Sequence, residues 1–313
     1  MLAHQDALPI DALARTVWVE EFDLSPDGGT IAFKSARAGT YDIWTVPTEG
    51  GEPTQLTRLP GREMAPRFTP DGSHIVFEAD FGGTDVRDLY LVPTDGGEPV
   101  NLTDHPLDDR GVSFGPDGRM YFTTGRYWDR STAVMDLETK EMRRVGPGGG
   151  VVSPDGRHIV FAQNGKPDDD DQSNSDLYVH SLEGGEPRAL TPDTWNALDR
   201  APAWSPDGTT IAFISDRGGW NNLGVIDVAT GETRMLVEEP FEHSEPRWSP
   251  DGRYISYTRN EDYHYHLYRV PAGGGAPEKV TTMDGVNGGS SATGQTRGNH
   301  LWHPDGRHLV HYH

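Results

Sequence analysis

The histidines are the residues of this sequence whose type and spacing could hold a metal ion. There are thirteen of them among 313 residues, and they cluster late in the chain. On an extended strand, residues two apart point to the same side, so His264 is paired with His266, and His311 with His313. Imidazoles on one face can share a transition metal. Packing between sheets or at a sheet edge is the favoured interpretation, and the sequence predicts no cofactor. If a metal binds, these four histidines are the predicted ligands.

Six polar residues are predicted to contact a ligand because each lies a few residues before a recurring turn. They are Arg67, Arg110, Arg200, Glu245, Arg247 and His300. The strands that carry them belong to successive repeats, and we expect their side chains at the rim or in the channel of the repeat array. The alternative is that some of them form buried ion pairs, such as Glu245 with a neighbouring arginine.

Nucleophilic catalysis finds no support in the sequence. The Gly-x-Ser-x-Gly nucleophile elbow exposes a serine at a strand-to-helix turn. The string itself occurs at 111–115 (GVSFG), but a Pro-Asp-Gly turn follows it and not a helical pattern. The Gly/Ser-rich string at 288–294 lacks the spacing and is not followed by a helical pattern either. We therefore predict no catalytic residue and no peptide hydrolysis by this polypeptide on its own.

A turn with the core Pro-Asp-Gly organises the whole chain. It occurs seven times, in segments that begin at Ser25, Thr69, Gly115, Ser153, Ser205, Ser249 and His303. Proline presets φ at the first central position, and glycine takes the positive-φ position that closes the turn. Alternating apolar residues follow, as in Ile31/Phe33 and Ile159/Phe161. This pattern is typical of a β-strand leaving a hairpin.

The spacing of these turns predicts the fold. Successive turns lie 38 to 54 residues apart, which accommodates four short antiparallel strands, and repeats of this kind form the blades of β-propellers. We predict an all-β propeller of four-stranded blades, seven-bladed with an incomplete seventh blade; a six-bladed, TolB-like propeller is the alternative. An aromatic residue two places before the turn proline, as in Trp204 and Trp248, is expected to fill the gap between blades.

The domain organisation follows from the same repeats. We expect residues 1–20 to be a lead-in with a short helix around 9–15, and residues 21–313 to be a single propeller domain. The last repeat holds only two predicted strands. Because a chain that ends inside a sheet leaves an open edge, we expect the missing strands to belong to a longer parent.

Composition narrows the possible partners and location. The formal net charge is −22, which argues against nucleic acid or an anionic membrane as partner, because phosphates are bound by basic patches. The chain has no cysteine, which excludes disulfides and thiolate metal sites. The first residues lack the basic start and apolar stretch of a signal peptide, so a cytoplasmic protein is expected.

Three segments carry a resemblance to a known family: 205–220 (SPDGTTIAFISDRGGW), 225–234 (VIDVATGETR) and 246–252 (PRWSPDG). They are similar to the N-terminal propeller of prolyl oligopeptidase-family serine peptidases, in the acylaminoacyl-peptidase and dipeptidyl-peptidase-like branch. In that family the propeller caps an α/β-hydrolase domain, admits short or unfolded peptides and can bind the free N-terminus of the substrate. The resemblance implies a substrate-gating, peptide- or protein-binding propeller, with a peptide substrate or a hydrolase domain as its partner.

Two alternatives stay open. TolB carries similar turns, and a resemblance to TolB implies a stand-alone platform whose rim holds a protein partner. Oligogalacturonate lyases are propellers of this repeat type that hold a metal through histidines, so a metal-dependent lyase is the second alternative. No basic subsite for an anionic sugar is visible in the sequence.

Overall fold

The computed structural model describes residues 19–127, 129–163, 175–192, 199–262, 264–282 and 300–311. Within these ranges the chain consists of β-strands joined by turns. The described part contains no helix that is long and apolar enough to cross a membrane. The helix expected around 9–15, and His313 among the predicted metal ligands, lie outside the described residues.

Six four-stranded antiparallel sheets follow one another along the chain, and each is one blade. The first three blades are built from these strands: β1 (Val19–Leu24), β2 (Thr30–Ser35), β3 (Asp42–Pro47), β4 (Thr54–Gln55); β5 (Arg62–Phe68), β6 (His74–Asp80), β7 (Asp88–Pro93), β8 (Val100–Asn101); β9 (Asp109–Phe114), β10 (Met120–Tyr127), β11 (Asp129–Met135), β12 (Met142–Pro147). In every blade the strands pair in chain order, as the successive hairpins predict.

The next three blades repeat this topology. Their strands are β13 (Val151–Val152), β14 (His158–Gln163), β15 (Asp176–Ser181), β16 (Arg188–Ala189); β17 (Arg200–Trp204), β18 (Thr210–Ser215), β19 (Asn222–Asp227), β20 (Thr233–Met235); β21 (Glu242–Trp248), β22 (Tyr254–Glu261), β23 (His264–Pro271), β24 (Glu278–Lys279). The fold is therefore an all-β propeller of four-stranded blades, as predicted.

The blade count corrects the sequence prediction. The seventh repeat forms a two-stranded sheet, β25 (His300–Trp302) with β26 (Leu309–His311), which we call the closing sheet. The described residues thus contain six complete blades, which fits the six-bladed alternative and not the seven-bladed prediction. The prediction was wrong because it counted as a blade a repeat that supplies only two strands, whereas each complete blade has four.

The turns adopt the geometry that their residues favour. In the first turn Gly28 has φ of 77°, and its N–H donates to the carbonyl of Ser25 at 2.8 Å. The Ser25 hydroxyl donates to Asp27 Oδ1 at 2.6 Å, and the same carboxylate oxygen accepts from the N–H of Gly29 at 2.9 Å. Serine and aspartate therefore satisfy the polar groups of a turn that proline and glycine shape.

Neighbouring blades share their hydrophobic cores. Each of five buried apolar clusters combines side chains of two successive blades. The tryptophans before the turn prolines also reach across: Trp204 Nε1 donates to the carbonyl of Val151, and Trp248 Nε1 to that of Ala203, at 2.9 and 3.0 Å. The predicted role of these aromatics between blades is confirmed.

The closing sheet lies between the sixth blade and the first. Trp302 Nε1 donates to the carbonyl of Arg247 on β21 at 3.2 Å. On the other side, the His303 ring rests on the turn of the first blade, where a Cβ on Gly28 would lie 2.2 Å from His303 Nε2. The closing sheet therefore contacts both the sixth blade and the first.

Three buried acids tie successive blades together, and we call Glu63, Asp109 and Asp199 the clasp carboxylates. Each lies seven residues before its turn proline, and none of their surface is exposed. Their backbone N–H groups donate to carbonyls of the preceding blade, namely those of Tyr41, Arg87 and Ser175, at 2.9 Å in each case.

The clasp side chains also have charged or polar partners. Arg126 Nη2 lies 2.6 Å from Asp109 Oδ2, and Arg217 Nη2 lies 2.9 Å from Asp199 Oδ2. Glu63 instead accepts from the Leu59 N–H at 2.8 Å and from the Thr57 hydroxyl. A buried carboxylate needs such partners to offset its lost hydration, so these residues have a structural role.

Candidate functional site in the central channel

The first strand of each blade lines the centre of the propeller. Each of these strands contacts the first strand of the next blade, from β1 through β5, β9, β13, β17 and β21 to β25. The fourth strands, in contrast, pair only at the far side of their own sheets. Polar side chains on the first strands are therefore those that a ligand in the central channel would meet.

A β-bulge recurs in five of these inner strands. It appears as a register shift against the second strand, and it centres on a residue with positive φ. These residues are Glu21, Ala65, Gly111, Ala201 and Glu245, with φ between 45° and 75°. An extra residue in a strand re-aims the side chains that follow it. The bulge thus sets the direction of the channel-side residues two positions later.

Five charged residues meet around these bulges, and we call them the channel cluster: Glu21 and Asp23 on β1, Arg67 on β5, and Glu245 and Arg247 on β21. Arg67 Nη1 lies 3.7 Å from Asp23 Oδ1, and Arg247 Nη2 lies 3.5 Å from Glu245 Oε2. The four side chains of these two pairs are 17% to 32% exposed. The cluster therefore offers both signs of charge in a partly solvated site.

Hydrogen bonds across the first two blades fix the acidic side of the cluster. Asp23 Oδ2 accepts from the N–H of Phe68 at 2.9 Å, and Glu21 Oε2 accepts from the N–H of Ala65 at 3.0 Å. Glu21 Oε2 also lies 3.4 Å from Lys34 Nζ. Both acids are thus held in place by the main chain of the next inner strand.

The charges of the cluster act on one another. Burial raises the pKa of Asp23, against the opposing effects of the Arg67 and Arg247 guanidinium groups. Burial lowers the pKa of Arg247; the Glu245 carboxylate opposes this shift, whereas the neighbouring positive charge of Arg67 adds to it. The Arg247 guanidinium is therefore less stabilised than an arginine with a dedicated partner, and an incoming carboxylate or carbonyl would supply the missing acceptor.

His300 borders the cluster from the closing sheet and is fully buried. Its Nε2 lies 2.8 Å from Ser256 Oγ, and the Ser256 hydroxyl donates to the carbonyl of Arg247 at 3.2 Å. We assign the Ser256 proton to this carbonyl, which makes Nε2 the protonated nitrogen and Nδ1 an acceptor. Nδ1 has no hydrogen-bond partner within the described part of the chain. Burial, then the charges of Arg247 and His311, lower the pKa of His300 to about 3.

The structure brings four of the six predicted contact residues together: Arg67, Glu245, Arg247 and His300. Glu245 does pair with a nearby arginine, Arg247, but the two side chains are 23% and 32% exposed, so this is not the buried ion pair of the alternative. Arg110 pairs instead with Asp108 at 2.9 Å in the third blade, and Arg200 lies on β17 in the fifth. Binding of a ligand by any of the six stays a prediction.

The predicted metal ligands are divided between two sheets. His264 and His266 lie on β23 with their ring centres 6.3 Å apart, the first exposed and the second buried. His311 pairs with His300 across the closing sheet. Metal binding by this set stays a prediction.

Sequence reasoning missed Glu21, Asp23 and the clasp carboxylates. The acids seven residues before the turn proline recur at a constant offset, so an alignment of the internal repeats would have found Glu63, Asp109 and Asp199. Asp23 occupies the same repeat position as Arg67 and Arg247, three residues before the proline. That shared offset was the available signal.

Comparison with known families settles the class of propeller. The sequence matches the TolB beta propeller domain over residues 24–169 and again over 169–312. The chain belongs to the TolB β-propeller domain family. The resemblance inferred from the Pro-Asp-Gly segments is confirmed, and the curated relatives of this TolB-type propeller include both peptidases and TolB proteins.

Three relatives illustrate the kinds of protein to which this chain is similar. Dipeptidyl-peptidase 5 of Porphyromonas gingivalis is 29% identical over 84% of this TolB-type chain and 48% of its own length. The uncharacterized peptidase YuxL of Bacillus subtilis is 35% identical over 34% of the chain and 16% of its own length. A TolB homolog of Chlorobium luteolum is 25% identical over 66% of the chain and 36% of its own length. The chain thus spans less than half the length of each of these relatives.

Solved structures share the fold. Oligogalacturonate lyase in complex with manganese aligns over 94% of this propeller and 86% of its own chain, with a TM-score of 0.74 and 17% identity. Pyrococcus horikoshii acylaminoacyl peptidase aligns over 87% and 47%, with a TM-score of 0.65 and 14% identity. TolB from Acinetobacter baumannii aligns over 86% and 64%, with a TM-score of 0.58 and 21% identity. At these identities the likeness concerns the fold alone.

Proposed function

We propose that this chain is a peptide-binding propeller that gates substrates for a hydrolase domain. The channel cluster is the observation that carries the proposal, because it places partly exposed charges of both signs where a peptide entering the ring would pass. The relation to dipeptidyl-peptidase 5, of which the chain spans 48%, supports a hydrolase as the partner.

The chemistry of the cluster suits the ends of a peptide. The forks of Arg67 and Arg247 can donate to a C-terminal carboxylate or to backbone carbonyls, and Glu245 can accept from an N-terminal ammonium group. The existing ion pairs, at 3.7 and 3.5 Å, are longer than a well-formed charged hydrogen bond of about 2.7–2.9 Å. A peptide therefore exchanges weak contacts for stronger ones.

Binding of short peptides tests this proposal. The probe is a five-residue alanine peptide with a central fluorescein-labelled lysine and free ends, titrated with the full chain and followed by fluorescence anisotropy. We expect Arg247→Met to weaken binding at least tenfold, because the main charged donor to the peptide is removed. Arg119→Met is the matched control, since Arg119 is half exposed and pairs with Asp117 beside an outer turn. Equal affinities for the two variants and the unmodified chain would contradict the proposal.

A TolB-like interaction platform is the second candidate, favoured by the family match over nearly the whole chain. The same titration separates the two. A gate that recognises peptide ends loses affinity when the probe is N-acetylated and C-amidated, whereas a platform that holds an internal segment binds the blocked probe as tightly as the free one. In either case the Arg247→Met variant shows whether the channel cluster is the contact.

A further inference from the structure

The turn of the closing sheet differs from the other Pro-Asp-Gly turns at one position. In the fourth, fifth and sixth blades a serine hydroxyl donates to the turn aspartate at 2.5 to 2.6 Å. In the closing sheet His303 occupies this position. The segment 303–308 (HPDGRH) otherwise equals 153–158 (SPDGRH) of the fourth blade. One substitution therefore places an imidazole where the fold already directs a side chain at the aspartate.

Three metal-ligating side chains meet at this turn. His303 Nδ1 lies 3.2 Å from Asp305 Oδ2, and His308 Nδ1 lies 2.6 Å from the same oxygen. The ligand atoms all lie within 4.8 Å of one another, and no other group of three such residues in the described part of the chain meets that limit. The imidazole rings stand at 83° to each other, with their centres 6.2 Å apart.

These distances suit a small four-coordinate ion. Zinc–ligand bonds of about 2.0–2.1 Å in a tetrahedron separate the ligand atoms by roughly 3.3 Å. The separation of His303 Nδ1 from Asp305 Oδ2 already has this length. His303 Nδ1 also accepts from the N–H of Asp305 at 3.2 Å, and a bound ion would replace this hydrogen bond. The His308 ring is 75% exposed, so it can move back from the aspartate by the few tenths of an ångström that the ion requires. The net charge of −22 favours any cation near the surface, but only the two imidazoles select a transition metal.

We propose that His303, Asp305 and His308 form a binding site for a divalent transition-metal ion of the Zn²⁺ type, with water as the remaining ligand. This site is separate from the histidines predicted from strand alternation. The His303 ring also lies against Gly28 of the first blade. A bound ion would hold that ring in place and fasten the closing sheet to the first blade.

Calorimetric titration of the full chain with Zn²⁺ tests the site. We expect one equivalent to bind with micromolar or tighter affinity in the unmodified protein. His303→Ser restores the sequence found in the fourth blade, so the variant should fold normally, and we expect its affinity to fall at least tenfold. His158→Ala is the matched control, because His158 occupies the position of His308 in a turn where Ser153 replaces His303, so that turn lacks the third ligand. This control should bind Zn²⁺ like the unmodified chain.

Thermal unfolding gives a second measurement that needs no assumption about function. A saturating Zn²⁺ concentration should raise the unfolding midpoint of the unmodified chain and of His158→Ala, because an ion that binds only the folded state stabilises it. The midpoint of His303→Ser should rise less, because its affinity for the ion is lower. The proposal fails if His303→Ser binds as tightly as the unmodified protein, if His158→Ala loses affinity equally, or if micromolar Zn²⁺ produces no heat of binding.

Discussion

The clasp carboxylates and the channel cluster are two sets of charges on or directly beside the inner strands, and they are built differently. Asp109 and Asp199 are completely buried and lie 2.6 and 2.9 Å from their arginines. The pairs of the channel cluster are 3.5 and 3.7 Å long, and their members are 17% to 32% exposed. Short buried pairs hold one arrangement, whereas long and partly solvated pairs can be exchanged for a ligand.

Within a single strand, the bulge lies between a clasp carboxylate and a residue of the channel cluster. On β5, Glu63 is a clasp residue, Ala65 carries the positive φ of the bulge, and Arg67 faces the channel. Four residues along an ordinary strand would keep Glu63 and Arg67 on the same face. The extra residue of the bulge changes that relation. The sequence can therefore vary one end of the strand for binding while the other end keeps the blades together.

The largest effect is expected from removing a clasp carboxylate. Asp109→Ala leaves the largely buried Arg126 without its charged partner, and breaking such a pair should cost about 3 kcal/mol of unfolding free energy. Urea denaturation measures the loss. Glu278→Ala is the control, because Glu278 forms an equally short pair with Arg269 but is 63% exposed, so it should cost less than about 1 kcal/mol. Equal losses in the two variants would abolish the distinction between buried and exposed pairs.

A smaller loss of stability is expected from the protonation of His300 when the pH is lowered. Its pKa falls from 6.5 to about 3 in the folded protein, so the unfolded chain binds this proton more readily. The folded state keeps its full stability above pH 6.5 and loses it progressively between that value and pH 3. At pH 5 the loss from this residue should be about 2 kcal/mol.

The difference between the unmodified chain and His300→Gln isolates this contribution. His243, whose pKa is also lowered by burial, and Asp23, whose raised pKa acts in the opposite direction, titrate in both proteins. We expect urea midpoints measured at pH 7.5 and pH 5 to fall less in the variant. Equal decreases of the urea midpoint in the two proteins would show that protonation of His300 does not contribute to the loss of stability.

The smallest effect on stability is expected inside the channel cluster. Arg247→Met removes a guanidinium whose ion pair is 3.5 Å long and 32% exposed on the arginine side, and such pairs contribute at most about 1 kcal/mol. The unfolding free energy should therefore change by less than that, while peptide binding falls. A stability loss as large as that of Asp109→Ala would place Arg247 among the structural residues.

Local sequence patterns predicted the parts of the fold that depend on neighbouring residues. Ser205-Pro206-Asp207-Gly208 indicates a turn, and Trp204 before it indicates a blade interface, because both follow from a few adjacent side chains. The Glu245–Arg247 pair was anticipated for the same reason. The pairing of Arg67 with Asp23 was not, since these residues are 44 positions apart and meet only when two blades stand side by side. The predicted number of blades was also wrong. A complete blade needs four strands, and the turn of the last repeat specifies only the two strands beside it.

The carbonyl group of Arg247 receives hydrogen bonds from Trp302 and from Ser256. Both bonds go to the main chain, which every amino acid possesses, while the side chain of the same residue points to the channel cluster. Cohesion and the proposed ligand recognition thus reside in different atoms of one residue. A lineage can exchange the side chain to admit a new ligand without loosening the joint between the last two sheets, which makes this a position where new specificities can evolve at low structural risk.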